Sequence, residues 1–362
     1  MGDPGSASSA PERAIWVINS ACPSRCVYCD IASQRETREL DRRLAVATAE
    51  QLVSLRFRQV IFVGGEPLLF KHLGPVLEVL KRGGVDSAVF TGGIPGDHAR
   101  YVEALQHGAT RVVYSIDSGR GNVNDRVRGR LGTTLDLVRF AESVKLALPE
   151  VEASVSTVVS RQTVETVGTV WDRMKQFRLT AWVAVLAGDN FTGSPAEHFL
   201  PPSQVRNFYL EAAPAAARQV REESPDTDFL VFPVPLPLLS RRVPIERWSA
   251  EEVDETLLAE FEAYSRGAYN ERFVSRFGCP LVGSDLTIGV GGQIYPCSQA
   301  PIIKDEYSLG SVHDVKLSDV LAGGAIKRFR EAIPHAPCSR CWAPSNVPRA
   351  TLDALFARSG LT

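Results

Sequence analysis

Apolar and β-branched residues gather in six short runs along the first half of the chain, at 14–19, 59–63, 86–90, 111–117, 153–159 and 181–186. Each has the length of a buried strand. Between them apolar positions return every three to four residues, over 45–55, 73–82, 99–107 and 135–146, the period of a helix with one buried face. Strand alternating with helix makes neighbouring strands parallel and covers both faces of the sheet. Six such units predict an α/β fold, a partial (β/α)6 TIM-like barrel over 14–190, open where a closed eightfold barrel would seal.

Past residue 188 the pattern changes. Proline-rich pieces at 200–203 and 232–238 flank two or three helical stretches, one at 251–265, which predicts a mainly helical insert over 191–275. From Cys279 onward come short strands, a Gly291-Gly292 turn and one helical period over 317–332. These predict a small α+β domain at 276–345 and a C-terminal helix or tail at 346–362. Residues 1–13 are small, polar and rich in Pro, Gly and Ser, a disordered tail without the apolar stretch of a signal peptide.

Composition narrows the partners. The chain has 362 residues, 44% hydrophobic, with 40 basic against 42 acidic side chains and a net charge of −2. That balance leaves no electrostatic footprint for nucleic acid. No apolar run approaches the roughly 18 residues a membrane span needs. Without an export signal the expected compartment is the cytoplasm, where the seven cysteines suit metal ligation better than disulfides. The histidines at 72, 98, 107, 198, 313 and 335 have no ligand-like spacing.

Three of those cysteines, Cys22, Cys26 and Cys29, form a CxxxCxxC directly after the first strand. Three thiolates hold three corners of a four-iron four-sulfur cube and leave one iron open to a ligand. In α/β barrels ligands bind at the C-terminal ends of the strands, and two further motifs fall at that same rim. Gly64, Gly65, Glu66 and Pro67 follow the second strand, and Ser115 and Asp117 close the fourth. Adjacent glycines let backbone approach a cationic group closely, and Glu66 adds a charge-assisted contact. Alternation puts Val113, Ser115 and Asp117 on one face of the fourth strand and Val112, Tyr114 and Ile116 on the other. Two polar groups on one face suit a pocket lining. Ser154 and Ser156 share a face of the fifth strand and line the same pocket, unless backbone satisfies their hydroxyls.

Together these motifs resemble the radical S-adenosylmethionine (radical SAM) superfamily. The resemblance implies that SAM chelates the open iron. Gly64, Gly65 and Glu66 would then receive its amino group, and Ser115 and Arg128, the latter in the 124–129 segment, its carboxylate. Asp117 would take ribose or substrate. Tyr28 would pack on adenine, with a loop-anchoring tyrosine as the alternative, just as a surface ion pair is the alternative for Arg128. Ser156 joins the cofactor-lining residues.

The remaining cysteines form a second set. Cys279 and Cys297 are 17 residues apart, Gly292 stands in a Gly-x4-Cys pattern before Cys297, and Cys338 and Cys341 form a CxxC. By spacing alone zinc and iron–sulfur are equally served. After a radical SAM core the set resembles the twitch domain, the shortened SPASM extension, which implies one auxiliary four-iron four-sulfur cluster on Cys279, Cys297, Cys338 and Cys341. The resemblance covers 14–190 and 279–345, not the insert.

The same resemblance implies a reaction. An external low-potential reductant such as flavodoxin or ferredoxin feeds the first cluster, SAM splits to a 5′-deoxyadenosyl radical, and the radical abstracts hydrogen from the substrate. A fully ligated second cluster suits electron transfer, hence net two-electron oxidation. With all seven cysteines assigned, no thiol remains to return hydrogen, which weighs against epimerisation. The leading expectation is a dehydrogenase acting in natural-product biosynthesis on a sugar-like molecule, aminocyclitol or nucleoside. Its layout is similar to that of the butirosin-pathway oxidation of 2-deoxy-scyllo-inosamine. Asp189 and Asn190, after the sixth strand, are candidate substrate contacts. The alternative is maturation of a ribosomally made peptide. Only about a dozen residues precede the first strand, too few for a folded leader-binding module, so the insert would have to bind the peptide. A molybdopterin-type GTP cyclase is disfavoured by the fourth auxiliary cysteine and by an ending other than Gly-Gly, and a non-catalytic scaffold by the convergence of three motifs on one rim.

Overall fold

A computed structural model of the chain describes residues 12–29, 31, 38–96, 98–188, 196–279, 281–283, 285–297, 307–341 and 349–359. The six apolar runs are its first six strands: β1 (Arg13–Asn19), β2 (Gln59–Gly64), β3 (Asp86–Thr91), β4 (Arg111–Ser115), β5 (Glu152–Val159) and β6 (Leu179–Leu186). Each pairs parallel with the next. The crossover helices Arg42–Ser54, Leu73–Arg82, Ala99–Gln106 and Thr133–Ala147 lay their apolar stripes on this sheet. Val60, Phe62, Leu52, Val76, Leu77, Phe140 and Trp182 are all fully buried in one continuous core.

β4 stops two residues before the sequence pattern predicts. The Ile116 N–H still bonds the Ser156 carbonyl at 3.0 Å. At Asp117, however, the N–H turns to the Asn124 side chain, at 2.8 Å, and its own carboxylate takes the Val158 N–H. Side chains replace the ladder there, so no further strand residue forms.

The sheet also continues past the sixth strand. β7 (Asp228–Phe232), from within the insert, pairs parallel with β6. At the other side β8 (Asp285–Ile288) pairs parallel with β1, and β9 (Ile294–Tyr295) returns antiparallel to β8. The order is β7-β6-β5-β4-β3-β2-β1-β8-β9, so the edges are β7 and β9 and the barrel stays open. The expected six-strand barrel sheet is thus two parallel strands short: β7 lies in the stretch predicted mainly helical, and β8, one of the short strands expected after Cys279, adds to the barrel sheet at β1.

The remainder of the insert is helical, with Pro202–Asn207, Ala213–Glu223 and Glu255–Tyr264 as its helices of six or more residues before Glu271–Phe277. The helix predicted over 251–265 starts at Glu255, because the Asp254 carboxylate accepts the Leu257 N–H and caps it. Tyr209 ties this layer to the sheet: its hydroxyl donates to the Pro233 carbonyl at 2.6 Å and its ring stacks on Phe261 at 5.4 Å. The single helix expected over 317–332 is two, Leu317–Ala322 and Gly324–Glu331. Gly323 between them is extended (ψ 155), and two consecutive glycines lower the cost of the break.

Candidate active site

Cys22, Cys26 and Cys29 are half-buried free thiols on the loop that leaves β1. The loop is stitched to the end of helix Gly121–Val127 by two backbone bonds, Arg25 N–H to the Arg128 carbonyl at 3.1 Å and Val27 N–H to the Val127 carbonyl at 2.9 Å. Gly129 makes this seam possible. Its φ is +64, and a Cβ there would sit 2.0 Å from the Arg25 carbonyl oxygen.

The glycines after β2 press on the same loop. A Cβ at Gly65 would stand 2.2 Å from the Ala21 oxygen, and one at Gly64 (φ +139) 2.4 Å from the Asn19 oxygen. The close approach expected toward a ligand is thus, first of all, an approach to the backbone that carries Cys22. The Glu66 N–H completes it with a 2.6 Å bond to the Ala21 carbonyl.

The Glu66 side chain has a different job from the one expected. It is 2% exposed, and its carboxylate accepts from Leu68 N–H (3.2 Å), Gly92 N–H (2.9 Å) and the Thr91 hydroxyl (3.1 Å). Burial pushes its pKa up to about 7 against the pull of those donors. Glu66 is therefore a strut between the ends of β2 and β3, with both oxygens occupied. Asn19 supports it by donating to the Glu66 carbonyl at 3.0 Å. Neither Asn19 nor Thr91 and Gly92 stood out in the sequence; the threonine–glycine pair after the third strand was the available signal.

Asp117 and Arg128 are likewise spent on each other. Asp117 is fully buried. Arg128 Nη2 donates to its Oδ1 at 3.0 Å and Nε lies 2.8 Å from Oδ2. The Tyr28 hydroxyl donates to Oδ2 at 2.5 Å and Val158 N–H to Oδ1 at 2.8 Å. Arg128 Nη1 stands 3.9 Å from Cys26 Sγ, and its guanidinium carbon 5.8 Å from the Tyr28 ring centroid. This corrects three expectations. Asp117 has no oxygen left for a ribose, Arg128 is neither a surface ion pair nor a free carboxylate clamp, and Tyr28, 3% exposed, anchors the loop. The triad fixes Cys26 and Cys29 from behind.

Ser115, the last residue of β4, and Ser156, within β5, are register partners, side by side and half-buried. They are the expected pocket residues still open to a ligand. Ser154 instead shares a hydrogen bond with the Thr180 hydroxyl at 3.0 Å. Asp189 and Asn190 lie outside the described residues.

The first thiol set fits a cube. Burial pushes Cys22 up to about 12, and Glu66, Cys26 and Cys29 add to this through their fields, against a backbone N–H at Ser24. Burial also raises Cys26, against the Arg128 charge. The three sulfurs are near enough to feel one another through their fields. Three neighbouring thiols are the donor set a four-iron four-sulfur cube takes, one thiolate per iron.

The second set is gathered by packing. Cys279, Cys338 and Cys341 border one apolar cluster with Phe273, Leu281, Leu352 and Phe356. Cys279 also borders another with Cys297, Ile326 and Phe329. Burial pushes Cys279 up to about 11, with Cys338 close enough to contribute. Cys279, shared by both clusters, links the two groups, a donor set of four thiols whose chemistry is compatible with an iron–sulfur group.

Residues 16–170 match the radical SAM superfamily. The chain carries a radical SAM domain. Residues 279–342 match the SPASM iron–sulfur cluster-binding domain, a stretch that contains all four cysteines of the second set. As a radical SAM enzyme the chain uses S-adenosylmethionine and a four-iron four-sulfur cluster, with auxiliary iron–sulfur chemistry in the SPASM domain. Among curated proteins it is similar to the PqqA peptide cyclase of Gluconobacter oxydans, 24% identical over 322 residues, covering 86% of this chain and 76% of that protein. Its fold is similar to Streptococcus suis SuiB bound to S-adenosylmethionine (TM-score 0.63, 12% identity, 95% of this chain and 74% of that one). It is also similar to anSMEcpe with bound AdoMet (TM-score 0.63, 15% identity, 97% and 98%). Among the described residues no helix is long and apolar enough to cross a membrane.

Proposed function

We propose that this radical SAM enzyme modifies a peptide, in place of the sugar-like alcohol that the sequence pattern put first. One observation carries the reading. The similarity to the PqqA peptide cyclase covers 86% of the chain, and a contiguous match of that extent has to run through 191–275, the segment for which the sequence offered no relative. In the same direction, SuiB, similar in fold, has been solved with its precursor peptide SuiA (TM-score 0.64, 14% identity, 95% of this chain and 73% of that one).

When bound, the first cluster and SAM supply a 5′-deoxyadenosyl radical that takes hydrogen from an unactivated carbon. This chain's residues hold the parts still. Cys22, Cys26 and Cys29 ligate, the Tyr28–Asp117–Arg128 triad and the Gly65 contact fix their loop, and Ser115 and Ser156 offer hydroxyls to SAM or substrate. Cys279, Cys297, Cys338 and Cys341 would hold an auxiliary cluster with no ligand position left over, and such a cluster would supply an acceptor for the second electron of a net two-electron oxidation.

The test is anaerobic incubation of the reconstituted enzyme with SAM and dithionite. Peptides encoded by short reading frames beside its own gene are compared with an aminocyclitol, a monosaccharide and a nucleoside. Peptide-dependent 5′-deoxyadenosine and a peptide lighter by two hydrogens are expected. A keto product from one of the small molecules, with every peptide inert, would return the assignment to a dehydrogenase.

A further inference from the structure

Where the insert meets the strand ends there is a cavity of about 250 Å³. Val234 and Leu236, which follow β7, form one side; helices Glu255–Tyr264 and Glu271–Phe277 form the other. Tyr269 locks it to the ligand-bearing rim of the barrel. Its hydroxyl donates to the Ala187 carbonyl just past β6, at 2.5 Å. Its ring lies so close to Gly188 that a Cβ there would fall 2.3 Å from Cε2.

Glu260 lines this cavity and is 5% exposed. Its Oε2 accepts from the Leu236 N–H at 2.8 Å and from the Tyr264 hydroxyl at 3.4 Å. Its Oε1 is buried and has no hydrogen-bond partner. The arginines that line the cavity do not supply one: Arg272 is exposed and donates to the Thr256 carbonyl at 3.2 Å, and Arg266 faces Glu262 at 3.9 Å. A buried acceptor left unmade is costly; Arg272 acts on Glu260 through its charge without bonding Oε1, and a carboxylate kept so in a cavity lined by Tyr264 and Tyr269 is matched to a cationic donor. Ammonium and guanidinium groups meet both demands, a charge-assisted bond to the carboxylate and an aromatic wall beside it. The volume is below that of a typical whole-ligand pocket, which suits one side chain of a longer molecule.

We propose that this cavity is a subsite for a lysine or arginine side chain of the substrate, held by Glu260 Oε1 and flanked by Tyr264 and Tyr269. The chemistry of the pocket is independent of turnover, and only the assignment of the cation to a peptide rests on the proposed function.

The experiment therefore uses small probes on the reconstituted enzyme, without reductant. N-acetyl-lysine methylamide and N-acetyl-arginine methylamide are titrated by calorimetry beside their neutral counterparts, the Nε-acetylated lysine and the citrulline compound. At least one cationic probe should bind and its neutral counterpart should not. Glu260→Gln, which keeps an acceptor for the Leu236 N–H, should weaken binding at least about tenfold. Ala263→Leu should do the same by filling the cavity, and it serves where Glu260→Gln fails to fold. Equal affinity for charged and neutral probes, undiminished binding by both variants, or no binding of either cationic probe to the wild-type enzyme would overturn the proposal. A pocket that binds cations in an enzyme that ignores every peptide would sink the peptide reading alone.

Discussion

Replacing Asp117 with Asn removes one charge from the centre of the site and nothing from its volume. The carboxylate receives the Tyr28 hydroxyl, the Val158 N–H and Arg128 Nη2, and lies 2.8 Å from Arg128 Nε. A carboxamide keeps one accepting oxygen and turns an NH2 toward donors on its other side. It also leaves the Arg128 guanidinium, 7% exposed, without its counter-charge. Breaking a buried pair from one side costs about 3–5 kcal/mol. The lost hydrogen bonds overlap with that figure and do not add to it. Asp117→Asn should therefore lower the unfolding free energy of the metal-free protein by about 3–5 kcal/mol, read from anaerobic urea unfolding.

The companion measurement is a double-mutant cycle. Asp117→Leu and Arg128→Met should each be costly, and the double variant should be less destabilised than their sum by at least about 1 kcal/mol, because neither buried charge is then left alone. Arg128→Met should also shed iron faster on desalting, since Arg128 Nη1 lies 3.9 Å from Cys26 Sγ. A near-wild-type unfolding curve for Asp117→Asn, or strict additivity in the cycle, would show that the triad is not what holds the loop.

Three other contacts give measurable outcomes. Gly65→Ala drives a Cβ to 2.2 Å from the Ala21 oxygen, so it should cost about 1–3 kcal/mol as an overpacked site and abolish SAM cleavage by shifting Cys22, whereas Gly168→Ala, at a glycine with open space around it and a helical φ of −57, should spare cleavage. Glu260 has its pKa pushed up to about 7 from 4.5 by burial, so the folded state binds its proton more tightly than the unfolded one. Stability should fall as pH rises from 4.5 through 7, by on the order of 3 kcal/mol, and urea midpoints at pH 5 and 8 should lose that part of their difference in Glu260→Gln. Asp285→Asn removes the 2.7 Å ion pair that sets β8 against Arg13 of β1. Iron content should drop toward that of one cluster while SAM binding persists; loss of both together would show that the pair is not specific to the second site.

The α/β barrel core was legible because buried parallel strands are continuous apolar runs, and all six from 14–19 to 181–186 appear as strands. β7 was not, because a strand of five residues carries too few apolar positions to show a period; short strands after Cys279 were legible, but not that β8 among them pairs with the open edge of β1. At the site the cysteines and glycines were legible by spacing. The roles of Tyr28, Glu66, Asp117 and Arg128 were not, because a charged residue beside a ligand site and one that braces the site from behind have the same sequence signature. Burial separates them: Asp117 is fully buried and Glu66 is 2% exposed, with every oxygen already engaged.

The continuity of the sheet bears on how the two cysteine sets face each other. β8 runs parallel to β1 with Asp285 level with Arg13. β9 returns with Tyr295 opposite Thr287, which by the same register brings Cys297 down to the height of Asp285. The Thr287 hydroxyl holds it there through the Cys297 carbonyl, at 2.8 Å. The loop of Cys22, Cys26 and Cys29 instead leaves β1 after Asn19, six residues higher, or roughly 20 Å of extended strand. Cys297 is thus set off from the first cysteine loop along one ladder of paired strands, while the carbonyl of Ser339, between Cys338 and Cys341, accepts the Asn270 N–H at 2.8 Å beside Tyr269.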